Sequence, residues 1–175
     1  MAYTGKFIIT GPIGSGRTSL IQHLSGLGYW CAQDASEEVL KNIKSRKSYA
    51  FNQAGIDLGK ELYSSAPSEQ ACFFDGGIPD IVANARQSND SGTEEYEEVA
   101  RMYRYKNPIF FLPYWRALAG DDVHSEAIAT SRIMERHLFE VYRDLGYNIF
   151  TLPRDSIQER AGLVLSIIGG QKDND

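Results

Sequence analysis

A glycine-rich stretch near the start of the chain has the residue types that bind phosphate. It reads Gly-Pro-Ile-Gly-Ser-Gly-Arg-Thr over residues 11–18. Its three glycines let the backbone curl until successive amide groups point at one anion. The hydroxyl of Thr18 is the type of group that binds Mg²⁺ in such loops. The stretch predicts a P-loop for nucleotide phosphates. The residues expected to contact the nucleotide are Gly11, Ile13, Gly14, Ser15, Gly16, Arg17, Thr18 and Ser19.

Arg17 stands where the P-loop motif has lysine. Lysine carries a compact point charge, whereas the guanidinium of arginine is a wide planar fork. Two outcomes are therefore open: the guanidinium pairs with phosphate in a shifted geometry, or it blocks the site. A glycine-rich turn that binds nothing is the alternative interpretation of the whole stretch.

The elements around this loop are those that a phosphate-binding loop requires. Lys6–Thr10 is a short apolar run typical of a strand, and Ser19–Leu24 has the pattern of a helix. Four more short apolar runs predict buried strands, at residues 29–32, 71–74, 109–112 and 148–152. Helices are predicted between them, beginning near residues 36, 51, 79, 93 and 125, and a last one begins near 156 and stops at Gly169.

This alternation of strands and helices predicts a three-layer α/β/α sandwich with a five-stranded parallel sheet, the P-loop NTPase type of fold. The 175 residues suit one domain, expected over residues 1–170, with a frayed tail at 171–175. In such sheets the carboxyl ends of the strands form the ligand-binding edge. Charged residues follow all five predicted strands, in the order Arg17, Asp34, Asp75, Arg116 and Arg154.

Composition limits the function classes. A net charge of −5 argues against nonspecific nucleic-acid binding. No stretch resembles a signal peptide or a transmembrane segment. Cys31 and Cys72 lack metal-type spacing and are expected to be reduced thiols, which favours a cytoplasmic protein. Because no Asn-Lys-x-Asp stretch occurs, a guanine-specific GTPase of the Ras type is not expected.

The combination of two motifs resembles a known family. Ile-Thr-Gly-Pro-Ile-Gly-Ser-Gly-Arg-Thr at 9–18 and Phe-Phe-Asp-Gly-Gly-Ile-Pro-Asp at 73–80 are similar to motifs of the small single-domain P-loop ATPase/kinase family of the AAA-domain type. Its best-described member is the bacterial ribosylnicotinamide kinase domain. The resemblance covers residues 7 to about 165. It implies ATP and Mg²⁺ as ligands and a small hydroxyl-bearing molecule, or water, as the acceptor of the γ-phosphate.

The resemblance also implies roles for individual residues. Residues 11–18 would hold the β- and γ-phosphates, and Asp75 would lie near Mg²⁺, which Thr18 also binds, or near the acceptor hydroxyl. Asp34 would face the acceptor, and we place Asp80 and Arg116 there too. Phosphoryl transfer needs cations that meet the developing charge. The remaining candidates besides Arg17 are Arg116, after the fourth predicted strand, and Arg132 and Arg136, one helical turn apart on a predicted helix. Arg154 is expected near the nucleotide.

Purely structural roles are the alternative for these charged residues. Asp75 is otherwise a loop cap and Asp34 a helix cap, and Arg132 and Arg136 otherwise form surface ion pairs. The family usually has lysine at 17 and arginine at 76 and 37, where this chain has Arg17, Gly76 and Glu37. A degenerate nucleotide-binding sensor or scaffold that does not catalyse is therefore the second function considered. A third is binding of an anionic lipid or another protein through the basic face at 41–47.

Overall fold

A five-stranded parallel sheet forms the centre of the computed structural model, which describes residues 4–34, 39, 41, 43, 49–115 and 125–170. Its strand order is β2-β3-β1-β4-β5, so β1 lies in the middle. Every pair of neighbouring strands is parallel, with Ile9 of β1 paired with both Asp75 of β3 and Phe110 of β4. The strands are β1 Gly5–Thr10, β2 Trp30–Ala32, β3 Ala71–Asp75, β4 Ile109–Phe111 and β5 Ile149–Thr151.

Helices cover both faces of this sheet. The described helices are α1 Arg17–Gly26, α2 Tyr49–Ser65, α3 Ile78–Ser88, α4 Thr93–Met102, α5 Ser125–Asp144 and α6 Ile157–Gly170. Consecutive side chains of β1 enter two separate apolar cores, because strand residues alternate between faces. Ile8 packs with residues of α2 to α5, whereas Phe7 and Ile9 pack with residues of α1 and α6. The three-layer α/β/α sandwich and its five-stranded parallel sheet are thus confirmed.

The observed elements differ from the predicted ones mainly at their ends. Helix α2 begins two residues earlier than predicted and α6 continues through Gly169 to Gly170. An exposed glycine at the end of a helix costs about 1 kcal/mol relative to alanine, which the apolar packing of the preceding turns offsets. The helix predicted from residue 36, most of the basic face at 41–47, Arg116, Glu37 and the tail at 171–175 lie outside the described residues. No helix in the described ranges is both long and apolar enough to cross a lipid bilayer.

Candidate nucleotide and acceptor site

Glycines shape the P-loop between β1 and α1. Gly11 has a φ of +151°, and a Cβ atom there would lie 2.1 Å from the carbonyl oxygen of Leu112, so no other residue fits. Gly16 precedes α1 with a φ of +87°, in the left-handed region that favours glycine. Among the described residues, no side chain caps this helix and no acidic residue lies in its first turn. Its first amide groups therefore remain available to an anion, which the helix dipole also favours.

Hydrogen bonds from residues distant in the sequence orient the backbone of this loop. Three consecutive carbonyl groups accept hydrogen bonds from other parts of the chain. The pairs are Ser131 Oγ to Ile13 O at 3.3 Å, the Trp115 amide to Gly14 O at 3.2 Å, and Arg160 Nη1 to Ser15 O at 3.1 Å. In a trans peptide the carbonyl of one residue and the amide of the next point in opposite directions. The amides of Gly14 and Gly16 therefore face away from these partners, which is the arrangement that holds a phosphate, while the Ser15 amide donates to the carbonyl of Pro12 at 3.2 Å.

Arg17 does not turn toward the loop it belongs to. Its guanidinium lies among three carboxylates, with Nη2 3.0 Å from Asp34, Nε 3.4 Å from Asp75 and Nη1 3.4 Å from Asp80. The structure thus brings together three of the predicted charged residues at the carboxyl edge of the sheet, and Asp80 with them. We call the three carboxylates of Asp34, Asp75 and Asp80 the acid cluster. The acids keep the pKa of Arg17 above its ordinary value, although burial opposes that shift.

Asp75 is the member of the acid cluster that is suited to chemistry. Its Oδ2 accepts a hydrogen bond from Thr18 Oγ1 at 2.9 Å. Its Oδ1 is buried and accepts no hydrogen bond from the described residues, although Arg17 Nε lies 3.4 Å away. Burial raises the pKa of Asp75, and the charge of Arg17 partly opposes this. A buried carboxylate with an uncommitted oxygen and a raised pKa is a candidate for binding or accepting a proton.

Asp80, by contrast, is committed to its neighbours. Its carboxylate accepts hydrogen bonds from Thr10 Oγ1 at 2.6 Å, from the backbone amide of Gly77 at 3.0 Å, and from the Tyr142 hydroxyl. Burial raises its pKa, and Arg17 and these donors oppose the shift. Asp80 therefore connects β1, α3 and α5 and holds the guanidinium of Arg17 in place. Its contact with an acceptor, predicted from the sequence, stays a prediction.

Thr18 and Asp75 are the residues that would hold Mg²⁺. Within the described ranges, no group of three or more histidine, cysteine or acidic side chains is arranged to hold a metal ion by itself. This agrees with the coordination habits of Mg²⁺, which takes one or two protein ligands and completes its shell with phosphate oxygens and water. The hydroxyl of Thr18 and the adjacent Oδ2 of Asp75 are oxygen ligands of the type that Mg²⁺ prefers, and they leave Oδ1 of Asp75 available to an acceptor. The residues present therefore fit the ion.

A large cavity opens beside the acid cluster. Its volume is about 600 Å³, in the middle of the range for small-molecule sites. The acid cluster and Gly11–Ile13 of the P-loop line one end, and side chains from α2, α3 and α5 line the rest. A molecule in this cavity would therefore adjoin both the phosphate loop and Asp75.

Two predicted site residues lie elsewhere. Arg132 and Arg154 line a separate depression, which they share with Tyr114, Glu135 and Phe139. Arg154 donates a hydrogen bond to the backbone oxygen of Tyr114 at 2.9 Å. Arg136 lies in the same depression, so the predicted shared face of the two α5 arginines is observed. Neither Arg132 nor Arg154 lines the cavity of the acid cluster, and the catalytic role predicted for Arg132 stays a prediction.

Arg160 is a residue that sequence reasoning missed. It is only 2% exposed, and it joins the P-loop to the segment after β5 by donating to Ser15 O and, at 3.0 Å, to Pro153 O. Its guanidinium also lies 4.9 Å from the ring centre of Trp115, and burial lowers its pKa. The capping-box sequence Ser-Ile-Gln-Glu at 156–159 predicts only the start of a helix. No local pattern indicates that this arginine reaches a loop 145 residues away.

Tyr142 was also missed, although a signal existed. It lies four residues after Leu138 on α5, a spacing that puts two side chains on one face of a helix, and its side chain is fully buried. A tyrosine in such a stripe needs a partner for its hydroxyl, and Asp80 is that partner. The spacing is a signal for burial of this side chain, but only the tertiary structure shows that Asp80 accepts the hydrogen bond of its hydroxyl.

Comparisons with known proteins agree with this fold. Solved structures of similar fold include deoxyadenosine kinase from M. mycoides with bound dCMP and dCDP, at 14% identity and a TM-score of 0.66, covering 95% of this chain and 100% of that one. Shikimate kinase from Acinetobacter baumannii in complex with shikimate matches at 14% identity and a TM-score of 0.64, covering 97% and 96%. The NadR protein in complex with NR matches at 12% identity and a TM-score of 0.73. That match covers 98% of this chain but only 54% of NadR.

Sequence comparisons give the family. A search of the curated proteins finds no significant match. A family model described as an AAA domain matches residues 6–160, which include the P-loop, the acid cluster and Arg160. The resemblance inferred from the two motifs is therefore confirmed, and the chain belongs to this family of AAA-type P-loop domains.

Proposed function

We propose that the chain binds Mg-ATP at Gly11–Ser19 and transfers the γ-phosphate to a hydroxyl group of a small molecule in the cavity, or to water. The observation that carries this proposal is the position of Asp75. It bonds Thr18 of the P-loop at 2.9 Å and also lines the cavity of about 600 Å³. One carboxylate thus adjoins both the expected phosphate site and the expected acceptor site. The kinase fold of the neighbouring structures supports the same reaction class.

The reaction follows from this placement. The acceptor oxygen attacks the γ-phosphorus, a new O–P bond forms, and the bond from that phosphorus to the bridging oxygen breaks, which releases ADP. The proton of the acceptor hydroxyl passes to Oδ1 of Asp75, which accepts no hydrogen bond from the described residues. Amides of the loop and of the first turn of α1 hold the phosphate oxygens. Bound Mg²⁺ would offset the negative charge of the phosphates.

Thr18→Ala is expected to weaken Mg-ATP binding roughly ten- to a hundredfold. The variant loses a hydroxyl whose interaction with a charged partner contributes about 1.5–3 kcal/mol. Calorimetric titration with Mg-ATP and Mg-GTP measures the effect and also gives the nucleotide preference. Ser166→Ala on the exposed face of α6 is the matched control and should bind as the parent does. A parent protein that binds neither nucleotide would refute the proposal.

A second function is favoured by the position of Arg17. Because its guanidinium is paired with Asp34, Asp75 and Asp80, the charge that a P-loop normally directs at phosphate is already partly neutralised. This supports a nucleotide-binding sensor or scaffold without turnover. Such a module would bind nucleotide but release no ADP above the level of the Thr18→Ala variant, across a panel of hydroxyl-bearing acceptors and water.

Arg17→Lys separates the two functions. If the site has decayed around an ill-fitting arginine, an ammonium group restores a point charge on the phosphates. For nucleotide binding we expect this outcome: the affinity for Mg-ATP should be about ten- to a hundredfold higher than that of the parent. This change corresponds to one charge-assisted hydrogen bond of about 1.5–3 kcal/mol. Little turnover should be gained, since Gly76 and Glu37 remain. If the site is adapted to arginine, turnover stays equal or falls. A variant that binds Mg-ATP more weakly than the parent would contradict the expectation.

A further inference from the structure

The walls of the cavity beside the acid cluster are mostly apolar. Beyond the charged end, it is lined by aromatic and aliphatic side chains of α2, α3, α5 and β3. These side chains include Phe51, Leu62, Phe74, Ile81, Ile133 and Met134. Most of the surface of any molecule bound here would therefore be in contact with hydrocarbon.

Two polar side chains that line the cavity, Asn84 and Ser88, form hydrogen bonds within the protein. Asn84 donates to the fully buried Asn52 at 2.7 Å, and Asn52 donates in turn to Asp90 at 2.6 Å. The hydroxyl of Ser88 donates to the backbone oxygen of Asn84 at 2.9 Å. These bonds stabilise the contact between α2 and α3, so Asn84 and Ser88 donate within the protein. The charged side chains among the described lining residues are the acid cluster and Arg17.

That charged end has an excess of negative charge. Among the described residues that line the cavity, three are acids and one, Arg17, is a lysine or arginine. With all four ionised their net charge is +1 − 3 = −2. Arg17 lies within 3.4 Å of each of the three carboxylates, so its positive charge is already paired with them. A carboxylate or phosphate on the acceptor would meet repulsion here and would find no uncommitted cation among these residues.

We propose that the acceptor is an uncharged or cationic alcohol with a bulky apolar body, bound with its hydroxyl beside Asp75 and its apolar part between α2, α3 and α5. This assignment rests on the proposed phosphoryl transfer and gives it a substrate class. It excludes acceptors that carry a carboxylate or a phosphate. The hydroxyl of the acceptor lies beside the carboxylate of Asp75, and its apolar body contacts the apolar walls of the cavity.

A pair of dyes with one skeleton tests the assignment without nucleotide. N-phenyl-1-naphthylamine is uncharged, and 8-anilinonaphthalene-1-sulfonate is the same anilinonaphthalene with one sulfonate. The uncharged dye is expected to bind with a Kd at least tenfold lower than that of the sulfonate, as measured by fluorescence titration. Asp34→Asn should narrow this ratio, because it removes one of the three negative charges. Equal affinities, tighter binding of the sulfonate, or no binding of either dye would overturn the proposal.

Methionine substitutions locate the dye. Met134→Trp, which fills part of the cavity, should weaken binding of the uncharged dye at least fivefold. Met102→Trp is the control, because Met102 lies on α4 with 78% of its surface exposed. Ile133→Trp at the half-exposed rim gives a second cavity variant should Met134→Trp fail to fold. Equal effects of the cavity and control variants would overturn the proposal.

Calorimetry with Mg-ATP on the same proteins separates this inference from the function on which it rests. If Mg-ATP binds but the dyes do not discriminate, the acceptor class is wrong and the nucleotide site stands. If the dyes discriminate and Mg-ATP does not bind, the phosphoryl transfer is refuted, and the ligand class assigned to the cavity is supported.

Discussion

Arg17→Met is expected to lower the free energy of unfolding by about 3 kcal/mol at neutral pH. Removing one partner of a buried ion pair leaves uncompensated charge, and this costs about 3–5 kcal/mol in well-buried cases. Here the side chains of Asp75 and Asp80 are 0% and 15% exposed, and both lose their cation. Because Asp34 is 30% exposed and water can screen it, we take the lower end of that range. Urea unfolding at pH 7.5 measures the difference.

A surface arginine provides the control for this variant. Arg143 is 72% exposed and pairs with Asp144 at 3.1 Å. Arg143→Met should change stability by less than about 0.5 kcal/mol, as is usual for exposed positions. If Arg17→Met were no more destabilising than this control, Arg17 would not be stabilising the acid cluster.

The penalty of Arg17→Met should shrink as the pH falls. Burial raises the pKa values of Asp75 and Asp80 above the ordinary 3.8, and Arg17 opposes the rise. In the variant this opposition is lost, and both pKa values rise further. An acid whose pKa is higher in the folded than in the unfolded state binds protons preferentially when folded. Its destabilising effect therefore grows as the pH rises through that window and fades on acidification. The parent–variant difference at pH 5 should be smaller than at pH 7.5, and an equal or larger difference would contradict the argument.

Asp75→Asn is expected to lower the rate of ADP formation by about 10²- to 10⁴-fold, the usual contribution of a positioned general base. The amide has the size of the carboxylate and its oxygen can still accept the Thr18 hydrogen bond, but it cannot take a proton from the acceptor. Because the substitution also removes a buried charge with a raised pKa, the fold should be retained. A coupled assay for ADP, with uncharged and cationic alcohols as acceptors, gives the rate.

Asp57→Asn is the matched control for this second variant. Asp57 lies on α2 with 62% of its side chain exposed and is 3.6 Å from Lys60. It should leave both the rate and the thermal midpoint unchanged. A rate for Asp75→Asn above one tenth of the parent's would exclude Asp75 as the base, whatever its position beside the cavity.

Arg17 and Gly76 are linked in a way that the sequence does not reveal. Gly76 has a φ of +71°, and a Cβ atom there would lie 3.1 Å from the carboxyl group of Asp80 and 3.4 Å from Nη1 of Arg17. A longer side chain at 76 would compete with the guanidinium for the same space. In this chain the guanidinium of Arg17 occupies the space next to Gly76.

The sequence by itself determined the elements and the edge of the sheet where the site lies. Hydrophobic period and glycine spacing are local properties, and they placed all five strands, the P-loop and the start of α1 to within one or two residues. Because parallel strands present their carboxyl ends on one edge, Arg17, Asp34 and Asp75 could also be predicted to converge. The observed ion pairs join these three residues.

Only the tertiary structure decided what each charged group contacts. The strand order β2-β3-β1-β4-β5 places Thr10 beside Asp80, and the packing of α5 places Tyr142 there, 70 and 62 residues apart in the chain. These pairings turn Asp80 into an anchor and draw Arg17 away from the phosphate loop. Arg160 reaches the loop across 145 residues. Such contacts depend on how helices pack against the sheet. Local spacing and composition do not indicate which distant residue a side chain will contact.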